Sequence, residues 1–133
     1  MNSNTTNAAA LAGRVLLALI FVISGFMKIP GYAGTAGYMA SKGVPLVGVL
    51  LPLTIALELG GGILLMLGWK ARWVALAFFL WLIPTTLIFH QFWGIDPQQA
   101  EMQMINFLKN VSIMGGMLMV FAFGPGAYSL DKK

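Results

Sequence analysis

The chain has 133 residues, 59% of them apolar, 9% charged and none cysteine. That charge content is far below the roughly 25% of an average soluble domain, and it points to a membrane protein. The net charge of +4 is spread over single and paired cations with no basic stripe, so a nucleic-acid partner is excluded and the charge reads as membrane topology.

Residues 1–10 are small and polar, and a disordered tail is expected there. The first apolar span runs from about Leu11 to Ile29. Val15–Ile23 has the character of a signal-peptide h-region, but no small-x-small cleavage site follows and three more apolar spans do, so an uncleaved helix is expected. Pro30-Gly31 ends it. The semi-polar segment 31–44, with Tyr32 and Tyr38, is too short and polar to span and suits a helix lying in the interface.

The second span covers about Pro45 to Gly68. It contains a kinking proline, Pro52, and a glycine run at 60–62 that admits a close neighbour. The turn Trp69-Lys70-Ala71-Arg72-Trp73 is an interfacial anchor. The third span covers about Ala71 to Phe92. Pro84 interrupts its ladder, and Thr85 and Thr86 are placed to satisfy the freed backbone groups. Asp96 and Glu101 lie in the next loop. The fourth span covers about Met104 to Phe123, with Gly115-Gly116 as a close-packing face, and Gly124-Pro125-Gly126 stops it before a polar tail, 127–133.

The expected fold is therefore all-α, a four-helix transmembrane bundle with a short interfacial helix between the first two spans. Residues 11–126 form a single membrane domain. Four crossings put both termini on one side with Arg14, Lys70, Arg72, Lys132 and Lys133, opposite Lys28, Lys42, Asp96 and Glu101. The positive-inside rule then makes the termini cytoplasmic in a bacterial inner membrane. No internal repeat of the transporter kind stands out.

Glu58 is the only charge in the second span and falls near its middle. A charge at that depth costs roughly 3 kcal/mol on insertion scales, so it must be protonated, paired or facing a wet cavity. Arg14, Phe21 and Lys28 follow a seven-residue spacing and share one face of the first span. That face points inward unless the two cations snorkel to the headgroups. Asn106 and Lys109 share a face of the fourth span, and Thr86 and His90 one of the third. Counting 1.5 Å per residue from the cytoplasmic ends places Glu58 about 15 Å deep, Lys109 about 21 Å and His90 about 28 Å. These depths predict a polar ladder, Glu58–Lys109–His90, with Lys28 at its mouth. Its plain structural role is a buried Glu58–Lys109 ion pair holding two helices in register.

The functional role is a proton-coupled site. A quinone headgroup needs donors at its carbonyl oxygens and two protons on reduction. His90 and Lys109 suit the first task and Glu58 the second. Phe89, Phe92 and Trp93 offer an aromatic rim, although aromatics at that depth commonly form an interfacial belt. With one histidine, a bis-histidine haem cannot form from one copy. Nine methionines leave a His/Met haem formally open, but core packing accounts for them, and neither metal nor haem is expected.

The same residues resemble the DoxX family of small four-helix membrane proteins over nearly the whole chain. The matching pieces are Arg14, Ser24-Gly25-Phe26-x-Lys28, Glu58-Leu59-Gly60-Gly61, His90, Asn106-Phe107-x-Lys109-Asn110 and Gly124-Pro125-Gly126-Ala127-x-Ser129-Leu130-Asp131. The resemblance implies an inner-membrane bundle associated with a quinone-linked or oxidative-stress redox complex. Any enzymatic part is then that of an accessory subunit, because the thiosulfate:quinone relatives work with a second subunit or fused domain. The expected site comprises Glu58, Lys109 and His90, with Lys28, Asn106 and Trp93 contacting a quinone. The expected partners are the bilayer and either a redox protein or a second copy. A non-catalytic scaffold is the alternative, and a small transporter the third reading.

Overall fold

The first helix begins at Ser3, well ahead of the expected Leu11, in a computed structural model that describes residues 2–131. Asn2 is the reason. Its side chain accepts the Thr5 N–H at 2.7 Å, which caps the helix, and Ala8-Ala9-Ala10 carry it into the apolar stretch without a break. Residues 3–10 are therefore helical and not a loose tail. The helices are α1 (Ser3–Met27), α2 (Tyr32–Ser41), α3 (Val47–Leu67), α4 (Ala71–Phe89) and α5 (Pro97–Phe123). All but α2 are long and apolar enough to cross a bilayer, and α2 is the expected short helix between the first two spans.

Two more boundaries differ from expectation. α5 starts at Pro97 and not near Met104, because Asp96 accepts the Gln98 N–H at 3.0 Å and Pro97 occupies the first turn. α4 ends at Phe89, with His90 leaving helical geometry at φ −124°, so residues 90–92 fall outside it. Within α3, a π-helical turn covers Ala56–Gly61, just after Pro52. Such turns widen a helix locally and commonly mark functional positions. This one carries Glu58.

The spans form two pairs. α4 packs closely against α5, and α1 packs against the Ala56–Leu67 part of α3 but hardly touches its Val47–Ile55 part. Glycines set the second pairing. A Cβ on Gly25 of α1 would stand 2.7 Å from the Leu59 nitrogen, and one on Gly62 would stand 2.7 Å from Val22 Cγ2. Between the pairs, side chains do the bridging. Phe21 meets Phe78 at 4.4 Å and Trp81 at 6.3 Å between ring centroids. With Ala18, Leu65, Ala75, Leu82 and Met117, these rings build a core nearer the end of the bundle that holds both termini.

The segment after α5 is docked on that end. Asp131 accepts the backbone N–H of Lys70 at 2.5 Å and of Ala71 at 2.9 Å, capping α4 from sixty residues away. Leu130 and Asp131 donate to the Leu67 and Gly68 carbonyls. Arg14 is 3% exposed and does not snorkel. Its guanidinium donates to the carbonyls of Met66, Pro125 and Tyr128, joining α1, α3 and the C-terminal segment. The tail expected over 127–133 is thus part of the fold as far as Asp131; Lys132 and Lys133 lie outside the described residues.

Candidate functional site

At the α2 end the two helix pairs part around a cavity of about 670 Å³, within the usual size of small-molecule sites. One wall belongs to α1 and α3. Glu58 is 4% exposed there. Lys28 Nζ donates to Glu58 Oε1 at 2.6 Å and to Ser24 Oγ at 2.6 Å, and Ser24 Oγ lies 3.4 Å from both carboxylate oxygens. The three groups form a closed triangle across the α1–α3 contact, which Gly25 makes possible by bringing the helices together one turn from Lys28.

The facing wall belongs to α4 and α5 and presents Thr85, His90, Lys109 and Asn110. His90 Nδ1 meets Gln103 Oε1 at 3.1 Å, and Gln103 Oε1 also receives the Asn106 amide at 3.4 Å. With that oxygen as acceptor, Nδ1 carries the proton and Nε2 of a neutral imidazole is the free acceptor. Asn110 donates to Thr86 Oγ1 at 3.1 Å, a buried bond tying α5 to α4. Thr85 donates to the Trp81 carbonyl at 2.8 Å, within the turn that Pro84 disturbs. Phe21, Trp81 and Phe89 line the space between the polar groups. α2 closes its outer end with Tyr38 stacked on Phe89 at 5.6 Å and Met39 buried beside them.

The structure brings Glu58, Lys28, His90 and Lys109 to one cavity, but not as the expected ladder. Glu58 pairs with Lys28, and among the described residues no ion pair joins it to Lys109. Position along a helix sets only depth, and the two groups lie on different walls of the cavity. Asn106 stands behind Gln103 and does not line the space. Nor do Phe92 and Trp93. The helix stops at Phe89, so both rings leave its inner face, and they pack edge-on with each other and with Phe107. Ser24, Gln103 and Asn110 complete the polar network. Ser24 stands four residues before Lys28 and Gln103 three before Asn106, helical spacings that place each pair on one face.

The DoxX family profile matches residues 9–91, which include Arg14, Ser24, Lys28, Glu58 and His90. The chain belongs to the DoxX family. This DoxX protein is 39% identical over 123 residues to inner membrane protein YphA of Escherichia coli, covering 92% of this chain and 88% of that protein. It is 38% identical over 126 residues to inner membrane protein YqjF of the same organism, covering 95% and 92%. It is also 24% identical over 132 residues to the ER-derived vesicles protein ERV29 of Saccharomyces cerevisiae, but spans only 36% of that longer protein. No solved structure matches. The α5 residues of the cavity, Lys109 and Asn110, lie beyond the family profile but within the bundle that the two Escherichia coli relatives parallel nearly end to end.

Proposed function

We propose that this DoxX protein is a quinone-binding subunit of the inner membrane, with both termini cytoplasmic, that supports redox chemistry by a partner. The observation that carries this is the pairing of walls. A buried carboxylate with its own ammonium faces an imidazole and a second ammonium across a ring-sized, aromatic-lined space. Reduction of a quinone to the quinol takes two electrons and two protons. The electrons come from the partner's redox centre, since this chain has no cysteine to hold a cluster. Lys109 donates to a quinone carbonyl oxygen, His90 Nε2 accepts from the hydroxyl of the quinol, Glu58 relays protons, and Lys28 guards the approach. Asn106 acts behind this site by fixing Gln103 and so the imidazole.

Trp81 is a built-in reporter. In a variant with Trp69, Trp73 and Trp93 replaced by Phe, a short-tailed benzoquinone should quench Trp81 fluorescence saturably in nanodiscs. Lys109→Met should weaken that binding, and His90→Ala that of the quinol, at least tenfold, and unchanged affinity in both would remove the headgroup contacts from the proposal. A scaffold role is the second reading, favoured by the Lys28–Glu58 bridge between α1 and α3. It calls for lost stability on mutation of the bridge with no quenching by any quinone.

A further inference from the structure

The cavity has a side opening toward the bilayer. A shallow groove of about 710 Å³ runs outside the bundle along α1. Ile20, Ser24, Lys28 and Thr35 line the groove and the cavity alike, so the two spaces meet between α1 and α2. The opening is graded in polarity. The Lys28 side chain is 23% exposed and that of Glu58 5%, so the ammonium stands at the threshold and the carboxylate inside it. Outward from the threshold the groove is apolar, with Leu16, Leu19, Ile23 and Met27 all at least 42% exposed. From residue 16 to residue 27 a helix rises about 16 Å, the depth of one leaflet of a bilayer core about 30 Å thick. α2 covers one end of the cavity through its Tyr38–Phe89 stack, and the core fills the termini end.

We propose that the ligand enters sideways from the bilayer between α1 and α2, passing its polar head over Ser24 and Lys28 while its hydrocarbon tail lies in the groove along α1. The site thus selects an amphiphile with a long tail, not a free ring from water. This rests on the quinone reading for the identity of the head. The tail gains no hydrophobic energy on leaving lipid, since both surroundings are apolar, but packing in an ordered groove gives it van der Waals contact that fluid lipid does not. Its further advantage is that head and tail are held together, so the groove raises the local concentration of the head at the portal.

The test uses tritiated dimethoxybenzoquinones with and without a geranylgeranyl tail, bound to the full chain in nanodiscs, with affinities compared as mole fractions in the bilayer. The tailed probe should bind at least tenfold more tightly than the tail-less one. Leu19→Trp and Ile23→Trp fill the groove from exposed positions, so the bundle is undisturbed. Each should bring the tailed probe to the tail-less affinity and leave the tail-less probe unchanged. Ile63→Trp, an equally exposed site on α3 away from the groove, should behave as the unsubstituted protein. Equal affinity for both probes, or tailed binding indifferent to the groove variants, overturns the side portal while leaving quinone binding intact. Loss of both probes in the groove variants also overturns it, because the groove would then not be specific to the tail. If neither probe binds the unsubstituted protein, the quinone reading falls and takes the portal with it.

Discussion

A carboxylate halfway across hydrocarbon costs roughly 3 kcal/mol unless something compensates it, and Glu58 finds both compensating groups on α1. Lys28 neutralises it, and Ser24 supplies a further hydroxyl within reach of both oxygens. Removing only the cation strands the charge. Lys28→Met should therefore lower the unfolding free energy by roughly 2–3 kcal/mol, while the double variant Lys28→Met/Glu58→Gln should regain most of it. Lys109→Met should change stability little. Reversible denaturation in mixed micelles reads all three, and a Lys109→Met loss as large as that of Lys28→Met would show that the carboxylate leans on the other wall. Arg14 answers a different need. It satisfies the last carbonyls of α3 and those of the C-terminal segment through a planar fork, which a lysine's single nitrogen does not reproduce. The shared face of Arg14, Phe21 and Lys28 was legible from spacing alone, and so was the isolation of Glu58 in its span. Which cation meets Glu58 was not, because it depends on which helix stands beside α3, and periodicity within one span says nothing about its neighbour.

Neighbours are chosen by the glycines. Gly25 and Gly62 sit where α1 and α3 cross, and a side chain at either meets backbone or a β-branched residue. Gly25→Val should cost about 3 kcal/mol or more and separate Lys28 from Glu58. Gly60→Ala, which meets nothing within 4 Å, should be neutral or stabilising by up to about 1 kcal/mol. The same denaturation measurement decides between them, and a tolerated Gly25→Val would mean the crossing is looser than its geometry requires. The glycine run was readable as a close-packing signal, but which members pack was not: Gly61 meets Phe78 and Gly62 meets Val22, whereas Gly60 faces open space. Gly115 likewise faces open space while Gly116 rests on Leu17. Element type was legible throughout, since each span is a long apolar run. Boundaries were less so where a cap lies in polar sequence. Asn2 and Asp96-Pro97 are start signals standing several residues ahead of the apolar pattern, which alone set the expected limits. The π turn around Glu58 has no comparable signature.

At the scale of the molecule, the bundle is closed at one end and open at the other. The closed end gathers the core, Arg14 and the docked C-terminal segment, and Asp131 there caps α4. Asp131→Ala removes that cap and should cost about 1 kcal/mol, read as a lower melting temperature with cavity binding retained. The open end carries α2, the cavity and the portal. This asymmetry gives orientation a functional meaning, since it decides which leaflet the portal faces. Arg14, Lys70 and Arg72 lie at the closed end, whereas Lys28 and Lys42 share the open end with Asp96 and Glu101. In the proposed orientation, with the cation-rich end cytoplasmic, the closed end lies inside and the portal opens to the outer leaflet. The chain has no native cysteine, so single cysteines are unambiguous reporters. A cysteine at Asp96 should react with a membrane-impermeant maleimide on intact spheroplasts. One at Asn4 should react only after permeabilisation. The reverse pattern would turn the bundle over and place the portal and Lys28 on the cytoplasmic side.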